Sequence, residues 1–134
     1  MLEMPVDYVI DSRRRLILTT YSGKVTADEL FEHQRRLASD PEFDSTFSEL
    51  VDGRQVTTTD GKDDATVARE LAKTHLFGPT SRRAFVVVET VYLGLLRRFS
   101  IYRELAGGKE DIRVFYDMNE ALTWLESPNQ PPAG

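Results

Sequence analysis

Two charged residues near the middle of the chain have the spacing of a local ion pair. Asp52 and Arg54 stand two residues apart at the predicted end of a strand. A charge-assisted hydrogen bond between them would either hold the following loop or engage a polar ligand. Structural ion pairs resemble functional ones, so loop architecture alone is the simpler interpretation. Both interpretations make Asp52 and Arg54 members of a candidate rim for a partner or ligand.

Three consecutive threonines, Thr57, Thr58 and Thr59, precede the second predicted helix. A phosphate added there would meet the positive end of the helix dipole and its unpaired amides, so the segment is a candidate phosphorylation site. The alternative is that Thr59 or Asp60 caps the helix and that the other threonines are solvated. Together with Thr90, these threonines complete the candidate rim.

The sequence contains no arrangement typical of catalysis or metal binding. His33 and His75 lie on different predicted helices and have no local partner at ligand spacing. The acidic cluster of Asp60, Asp63 and Asp64 lacks the glycine and the terminal glutamate of a calcium-binding loop. Glycine-rich phosphate loops, nucleophile elbows and zinc-protease helices are also absent from the sequence. We therefore predict a non-enzymatic protein with no catalytic residue, cofactor or metal site.

The third predicted helix carries more apolar side chains than one buried stripe can hold. Four of them form a candidate apolar interface: Tyr92, Leu93, Leu96 and Phe99. A second copy of the chain, an apolar ligand or a membrane surface would cover this interface, because contiguous exposed apolar patches are uncommon on soluble monomers. Coverage by the sheet and the neighbouring helices fits the same pattern.

The periodicity of the apolar residues predicts five strands and about four helices. Alternation with a period of two predicts strands at residues 6–11 and 15–21, joined as an antiparallel hairpin, with Gly23 ending the second. The spacing of Thr26 and Glu29 is that of a capping box, which begins a helix that runs to about Ser39. The later predicted elements are strands at 47–52, 84–88 and 112–116, a polar loop at 53–61, and helices at 62–77, at 91–106 and after Asp117.

The unbroken apolar run at residues 84–88 predicts a strand that is covered on both faces, as in the middle of a parallel sheet. Helices alternate with the later strands, and this order requires a largely parallel sheet with right-handed crossovers, to which the hairpin adds an antiparallel member. The strand ends and helix N-termini that meet at one edge of such a sheet form its default site. We expect one domain at residues 1–126 and a disordered tail at 127–134.

Length and charge narrow the classes of function. The 134 residues fit one domain, and 17 basic against 22 acidic side chains give a net charge of −5, which would repel a phosphate backbone. Nucleic acid is therefore not an expected partner. Cysteine is absent, which excludes disulfides and thiolate chemistry. The sequence shows neither a secretory signal nor a transmembrane segment, so we expect a cytoplasmic protein.

Five short segments resemble the bacterial SpoIIAA-like, or STAS/SEC14-like, family. They are Gly-Lys-Val-Thr at 23–26, Leu-Val-Asp-Gly-Arg at 50–54, Ala-Phe-Val-Val at 84–87, Val-Phe at 114–115 and Glu-Ala-Leu-Thr-Trp-Leu at 120–125. The likeness spans about residues 6–125 and is distributed over small motifs. It implies an α/β fold like that of anti-sigma-factor antagonists, which bind a protein partner and are switched by phosphorylation in the loop preceding the second helix.

The antagonists carry an Asp-Ser motif in that loop, whereas here Asp52 is followed by Gly53 and Arg54, with only threonines downstream. The resemblance also extends to lipid-carrier domains of similar topology. Two hypotheses follow. The first is a non-catalytic, regulatory protein-interaction module that acts through the rim and dimerises through the third helix. The second is a small carrier that binds a lipid or another apolar ligand beside that helix.

Overall fold

Five strands form one mixed sheet in the order β1-β2-β3-β4-β5. The structure is a computed structural model that describes residues 5–59, 66, 69–71, 73–88, 97 and 109–128. β1 and β2 are antiparallel, and the other neighbouring strands are parallel. The predicted α/β fold with an N-terminal hairpin is therefore confirmed. The strands are β1 (Val6–Asp11), β2 (Leu16–Val25), β3 (Ser48–Thr59), β4 (Arg82–Val86) and β5 (Asp111–Phe115).

Helices cover both faces of the sheet. α1 (Ala27–Ser39) packs on one face and α2 (Met118–Glu126) on the other. Burying one valine, leucine or phenylalanine side chain contributes about 2 kcal/mol, so the two layers of side chains between the helices and the sheet supply much of the stability. The core between α1 and the sheet includes Leu30, Val51, Phe85 and Val87. The core between α2 and the sheet includes Leu50, Ala84, Val86 and Ala121.

β4 occupies the interior position that its apolar sequence predicts. It lies between β3 and β5, and residues 84–87 are buried. The strand itself runs over Arg82–Val86 rather than residues 84–88, so that Val88 lies past its end and is 55% exposed. The apolar run therefore predicts the burial of the strand more accurately than its bounds.

β2 and β3 are both longer than predicted. β2 continues through Gly23, whose φ of +66° is in the left-handed region that glycine adopts without strain. β3 continues to Thr59 and pairs with β2 up to the pair Val25↔Thr59. The polar loop predicted for residues 53–61 is therefore wrong for residues 53–59. Backbone hydrogen bonds to β2 hold these residues in the strand. Such bonds do not depend on side-chain type, so the sequence shows no apolar period there.

The second predicted helix is shorter than expected. Thr66 and residues 69–71 are helical, but residues 73–77 are not, and the helix ends before Lys73. Leu76 and Phe77 extend the apolar pattern because they pack beside Leu37 without being helical. The helix predicted at 91–106 lies almost entirely outside the described residues. The described residues are thus helical in α1, at Thr66 and residues 69–71, at Arg97 and in α2.

The N-terminus of α1 has the predicted capping box. The Thr26 hydroxyl accepts from the Glu29 backbone N–H at 3.2 Å, and Glu29 Oε1 accepts from the Thr26 backbone N–H at 3.0 Å. α1 buries Leu30, His33 and Leu37, whereas Ala38 is exposed. The capping oxygen of α2 is also as predicted, because Asp117 Oδ1 accepts from the Glu120 N–H at 3.1 Å.

We expect Thr26→Ala to lower the free energy of unfolding by about 1 kcal/mol, because the Glu29 N–H loses its acceptor. Urea unfolding followed by circular dichroism measures the change. Thr123→Ala, on an exposed position of α2, is the matched control and should be neutral or slightly stabilising, because alanine favours a helix interior. Equal losses in the two variants would contradict a specific role for the cap.

Candidate functional site

The carboxyl rim is the edge of the sheet at which the parallel strands end. The register of β3 with β4 ends at the pair Asp52↔Val86, and that of β4 with β5 at Val86↔Phe115. The Val87 N–H donates to the Phe115 carbonyl at 3.0 Å, which extends this ladder by one step. The residues at or just beyond these last pairs define the carboxyl rim: Asp52, Arg54, Val88, Tyr116 and Asp117.

Asp52 and Arg54 form the predicted ion pair, and the pair is bidentate. Arg54 Nε donates to Asp52 Oδ1 and Arg54 Nη2 to Asp52 Oδ2, both at 2.9 Å. These hydrogen bonds lower the pKa of Asp52, and with the nearby charge of Asp117 they raise the pKa of Arg54. The side chains are 22% and 44% exposed, so the pair adds little stability and remains accessible from solvent.

β3 bulges twice against β2 in this segment. Beyond Asp52 and again beyond Val56, the register shows that β3 contains one residue more than β2. Arg54 lies in the first bulge and Thr57 in the second. Asp52 Oδ1 also accepts from the Arg54 backbone N–H at 3.2 Å, which satisfies a donor at the irregularity. Both bulges leave an exposed polar side chain, on Arg54 and on Thr57.

The three threonines belong to β3 rather than to a loop before a helix. Thr58 and Thr59 pair with Lys24 and Val25 of β2. Of the three threonine side chains, that of Thr57 is described, and it is exposed. Phosphorylation of these residues stays a prediction, and residues 60–65, where the following helix would begin, lie outside the described part of the chain.

Two exposed apolar side chains accompany the ion pair on the carboxyl rim. Val88 is 55% exposed and Tyr116 is 63% exposed. Within the described residues, the other exposed large apolar side chain is Val9, which is 63% exposed on the edge strand β1. The sequence places Tyr116, with Asp117, among the segments expected at this edge of the sheet, whereas Val88 was not among them. Tyrosine and arginine next to apolar surface are typical of protein-binding sites.

The candidate apolar interface lies outside the described residues. All four of its members lie there: Tyr92, Leu93, Leu96 and Phe99. Thr90 of the predicted rim is also outside the described residues. The dimer and the apolar carrier that these residues suggest therefore stay predictions. Native mass spectrometry of freshly purified protein would distinguish them, since a carrier retains an adduct and a dimer doubles the mass.

A buried polar network on the α1 face of the sheet was not predicted from the sequence. Arg83 Nε and Nη2 donate to Glu49 Oε1 at 3.1 and 2.9 Å. The Thr19 hydroxyl donates to Glu49 Oε2 at 2.6 Å, and His33 Nε2 lies 3.2 Å from the same oxygen. All four residues are at most 4% exposed. Both carboxylate oxygens of Glu49 thus have two partners within the core.

These neighbours stabilise the negative charge of Glu49. Burial alone would raise the pKa of Glu49, but Arg83, His33 and Thr19 together lower it to about 2. The Arg83 guanidinium also contacts two aromatic rings, 4.7 Å from the centroid of Phe77 and 5.4 Å from that of Phe85. A fully enclosed and fully paired carboxylate cannot contact a substrate, so the network positions β3, β4 and α1 rather than performing catalysis.

His33 completes this network with one nitrogen. Its Nδ1 is buried without a hydrogen-bond partner, and it is the one such side-chain atom found among the described residues. The rings of Tyr8 and Tyr21 lie at 62° and 87° to the imidazole plane, with ring centroids 5.5 and 6.1 Å away. His75, by contrast, is exposed, whereas His33 is 2% exposed. The two histidines therefore do not form a shared metal or acid-base site.

The described residues include no group of three or more histidine, aspartate or glutamate side chains placed to hold a metal ion. Across the same parts of the chain, each helix is either too short or too polar to cross a lipid bilayer.

The fold is similar to that of a solved bacterial protein. The crystal structure of an uncharacterized DUF3478 family protein from Shewanella loihica PV-4, which has a SpoIIAA-like fold, matches 93% of this chain and 97% of its own. The TM-score is 0.58 and the sequence identity is 16%, so the likeness shows the fold alone. Neither a scan against protein-family profiles nor a search of curated proteins finds a match. The SpoIIAA-like fold predicted from the resemblance is confirmed.

Proposed function

We propose that this SpoIIAA-like domain is a non-catalytic module that binds a protein partner through its carboxyl rim. The observation that supports the proposal is the combination, on one edge of the sheet, of the exposed side chains of Val88 and Tyr116 with the accessible ion pair of Asp52 and Arg54. By fold analogy with anti-sigma-factor antagonists, the interaction is regulatory.

The chemistry of the rim suits a protein better than a small molecule. Its apolar side chains project from the edge of the sheet, and its arginine is already paired with Asp52, so it offers no uncompensated positive charge that would capture a small anion. A partner would cover the two apolar side chains and could add hydrogen bonds at the margins of the ion pair. Binding is favoured because the contact takes the apolar surface of Val88 and Tyr116 out of water.

We expect Val88→Lys to abolish partner binding. A lysine at the centre of the contact would have to lose its hydration without a matching charge, which costs several kcal/mol. The measurement is quantitative affinity capture from the source cell, followed by calorimetric titration of the purified partner with the wild type and the variant. The partner should be captured by the wild type and lost with Val88→Lys, and a binding loss of at least about tenfold should persist with pure components.

The matched control is Val9→Lys. Val9 is the same residue type and has a similar exposed fraction, 63% against 55%, but it lies on the edge strand β1 away from the carboxyl rim. It should leave partner binding unchanged. Binding that survives Val88→Lys, or that is lost equally in both variants, would overturn the assignment of the rim. Arg54→Ala provides a second probe of the same surface.

A further inference from the structure

A cleft opens at the edge of the sheet opposite to the carboxyl rim. Its volume is about 510 Å³, within the range of small-molecule sites. It is formed by the turn between β1 and β2, the first residues of β3 and β4, and the end of α2. We call it the amino-terminal cleft.

The lining of the amino-terminal cleft is basic although the chain as a whole is acidic. Three arginines, Arg14, Arg15 and Arg82, face one carboxylate, Glu126, so the lining carries 3 − 1 = +2 charges, whereas the whole chain carries −5. Four residues with hydroxyl groups and two leucines complete the site. They are Thr46, Ser48, Thr80, Ser127, Leu16 and Leu125.

Arg82 is fixed in place by α2. Its Nη1 donates to the carbonyl oxygens of Trp124 and Ser127 at 2.6 and 2.8 Å, and the guanidinium lies 5.4 Å from the centroid of the Trp124 ring. These contacts satisfy carbonyl groups at the end of the helix, which have no partner inside it. The positive charge of Arg82 at the base of the cleft is therefore structurally fixed before any ligand arrives.

Arg14 and Arg15 have donors beyond those used by their described contacts. Arg14 Nη2 pairs with Glu126 Oε1 at 2.6 Å, and Arg15 Nη2 donates to the Thr46 hydroxyl while the guanidinium lies 5.4 Å from the Phe47 ring centroid. Each described hydrogen bond uses one nitrogen, whereas a guanidinium presents five N–H donors in a planar fork. The fork matches the oxygens of a phosphate or a carboxylate.

The backbone at Arg15 supports the same interpretation. Its φ of 55° is in the left-handed region, and Arg15 is the one residue other than glycine with a positive φ in the described chain. This conformation costs an L residue about 1 kcal/mol, and glycine or asparagine would adopt it at lower cost. Strained positions of this kind cluster at binding sites. The turn tolerates the strain and directs the Arg15 side chain to the cleft.

We propose that the amino-terminal cleft binds a small molecule that carries one phosphate or carboxylate group on a compact apolar body. The arginine forks and the hydroxyls would hold the anionic group, and Leu16 and Leu125 would contact the apolar part. This site is independent of the proposed protein-binding function, because the two surfaces lie at opposite ends of the parallel strands.

The experiment titrates isotope-labelled protein with phenyl phosphate and, separately, with benzoate, at constant ionic strength, and follows the backbone amides by NMR. Benzyl alcohol, which has the same ring without a charge, is the ligand control. Saturable shifts confined to the lining, for example at Leu16, Ser48 and Leu125, are expected with at least one anion and not with benzyl alcohol. The stronger of the two anions identifies the class of the acidic group.

Two variants test whether the arginine fork and the interior of the cleft are responsible. Arg14→Gln should weaken binding of the anion about tenfold, the loss expected for one charge-assisted hydrogen bond, and Thr80→Glu should weaken it about as much because the added carboxylate repels the anion. Their matched controls change charge equally on other surfaces. Arg35→Gln removes an exposed arginine that pairs with Glu32 at 2.7 Å, and Thr57→Glu adds a carboxylate at the opposite edge of the sheet.

The controls should bind the anion as the wild type does, and all four variants should keep the native amide spectrum outside the mutated position. The absence of saturable shifts with both anions would overturn the proposal. Equal weakening in the lining variants and their controls would also overturn it, because this result would indicate long-range attraction without a site. Shifts at the carboxyl rim alone would show that the anion binds there and not in the cleft, which would also overturn the proposal.

Discussion

Replacing Arg83 by methionine is expected to lower the free energy of unfolding by about 3–5 kcal/mol, the loss that follows when one partner of a buried ion pair is removed. Glu49 is 0% exposed, and Arg83 supplies both donors to its Oε1 atom. Methionine fills similar space beside Phe77 and Phe85 but leaves a buried carboxylate without a counter-charge. Urea unfolding followed by circular dichroism measures the loss as a lower midpoint with an unchanged slope.

The matched control for this prediction is Arg54→Met. Arg54 makes the same two-nitrogen contact with a carboxylate, that of Asp52, but the pair is exposed, so its loss should cost less than about 1 kcal/mol. The double variant Arg83→Met with Glu49→Leu removes both buried charges and should recover most of the stability. Equal losses in the two single variants would show that burial does not determine the value of the pair.

The interior position of β4 was predictable because the apolar pattern records burial. The run at residues 84–88 is apolar at every position, which suits a strand with helices on both faces, and β4 is that strand. Thr26 and Glu29 were equally informative, since a capping box is a local interaction between residues three apart. Features that depend on burial or on near neighbours in the chain can therefore be predicted here.

The length of β3 could not be predicted for the opposite reason. Apart from the buried Val56, residues 53–59 are glycine or polar, and the backbone pairing with β2 makes them a strand. Gly23 adds to the difficulty, because in the sequence it indicates a break, whereas in the structure its left-handed φ lies within a continuous strand. Backbone pairing between distant segments leaves little trace in side-chain composition.

The buried network was missed because its members are separated along the chain. Glu49 and Arg83 are 34 residues apart, and they meet because the parallel register places them side by side on β3 and β4. One signal was available. Glu49 shares the inward face of its strand with Val51, and a charged residue at such a position needs a buried partner of opposite charge. Arg83, immediately before the apolar run, was the available candidate.

In the candidate sites too, contacts between near neighbours in the chain were predictable and contacts between distant segments were not. Asp52 and Arg54 were predicted to pair because they are two residues apart, and the structure forms that pair. Tyr116 was expected at this edge because it ends the last predicted strand, whereas Val88 became part of the carboxyl rim because β4 ends two residues earlier than predicted. The amino-terminal cleft had no sequence signal, since its lining comes from four separate segments of the chain.

Acid should destabilise the protein between about pH 4.5 and pH 2 through Glu49. The pKa of Glu49 is about 2 in the folded protein against 4.5 for a free glutamate. Because the folded value is the lower one, the unfolded chain takes up the proton first as the pH falls. The contribution of Glu49 is therefore complete above pH 4.5 and lost near pH 2, and it amounts to about 3 kcal/mol. Urea midpoints measured from pH 7 downward should show this decline.

Other carboxylates contribute to the same decline, so the test must isolate Glu49. The pKa values of Asp40, Asp44 and Asp52 are also lowered by local hydrogen bonds. Asp52→Asn should therefore keep most of the acid dependence, whereas Glu49→Gln should reduce it while lowering stability at neutral pH, since Arg83 loses its buried counter-charge. Carbon NMR of the Glu49 carboxyl gives an independent reading, with the ionised signal expected to persist well below pH 4.5. A Glu49 carboxyl that titrates near pH 4.5 would contradict both the prediction and the stabilising role of Arg83.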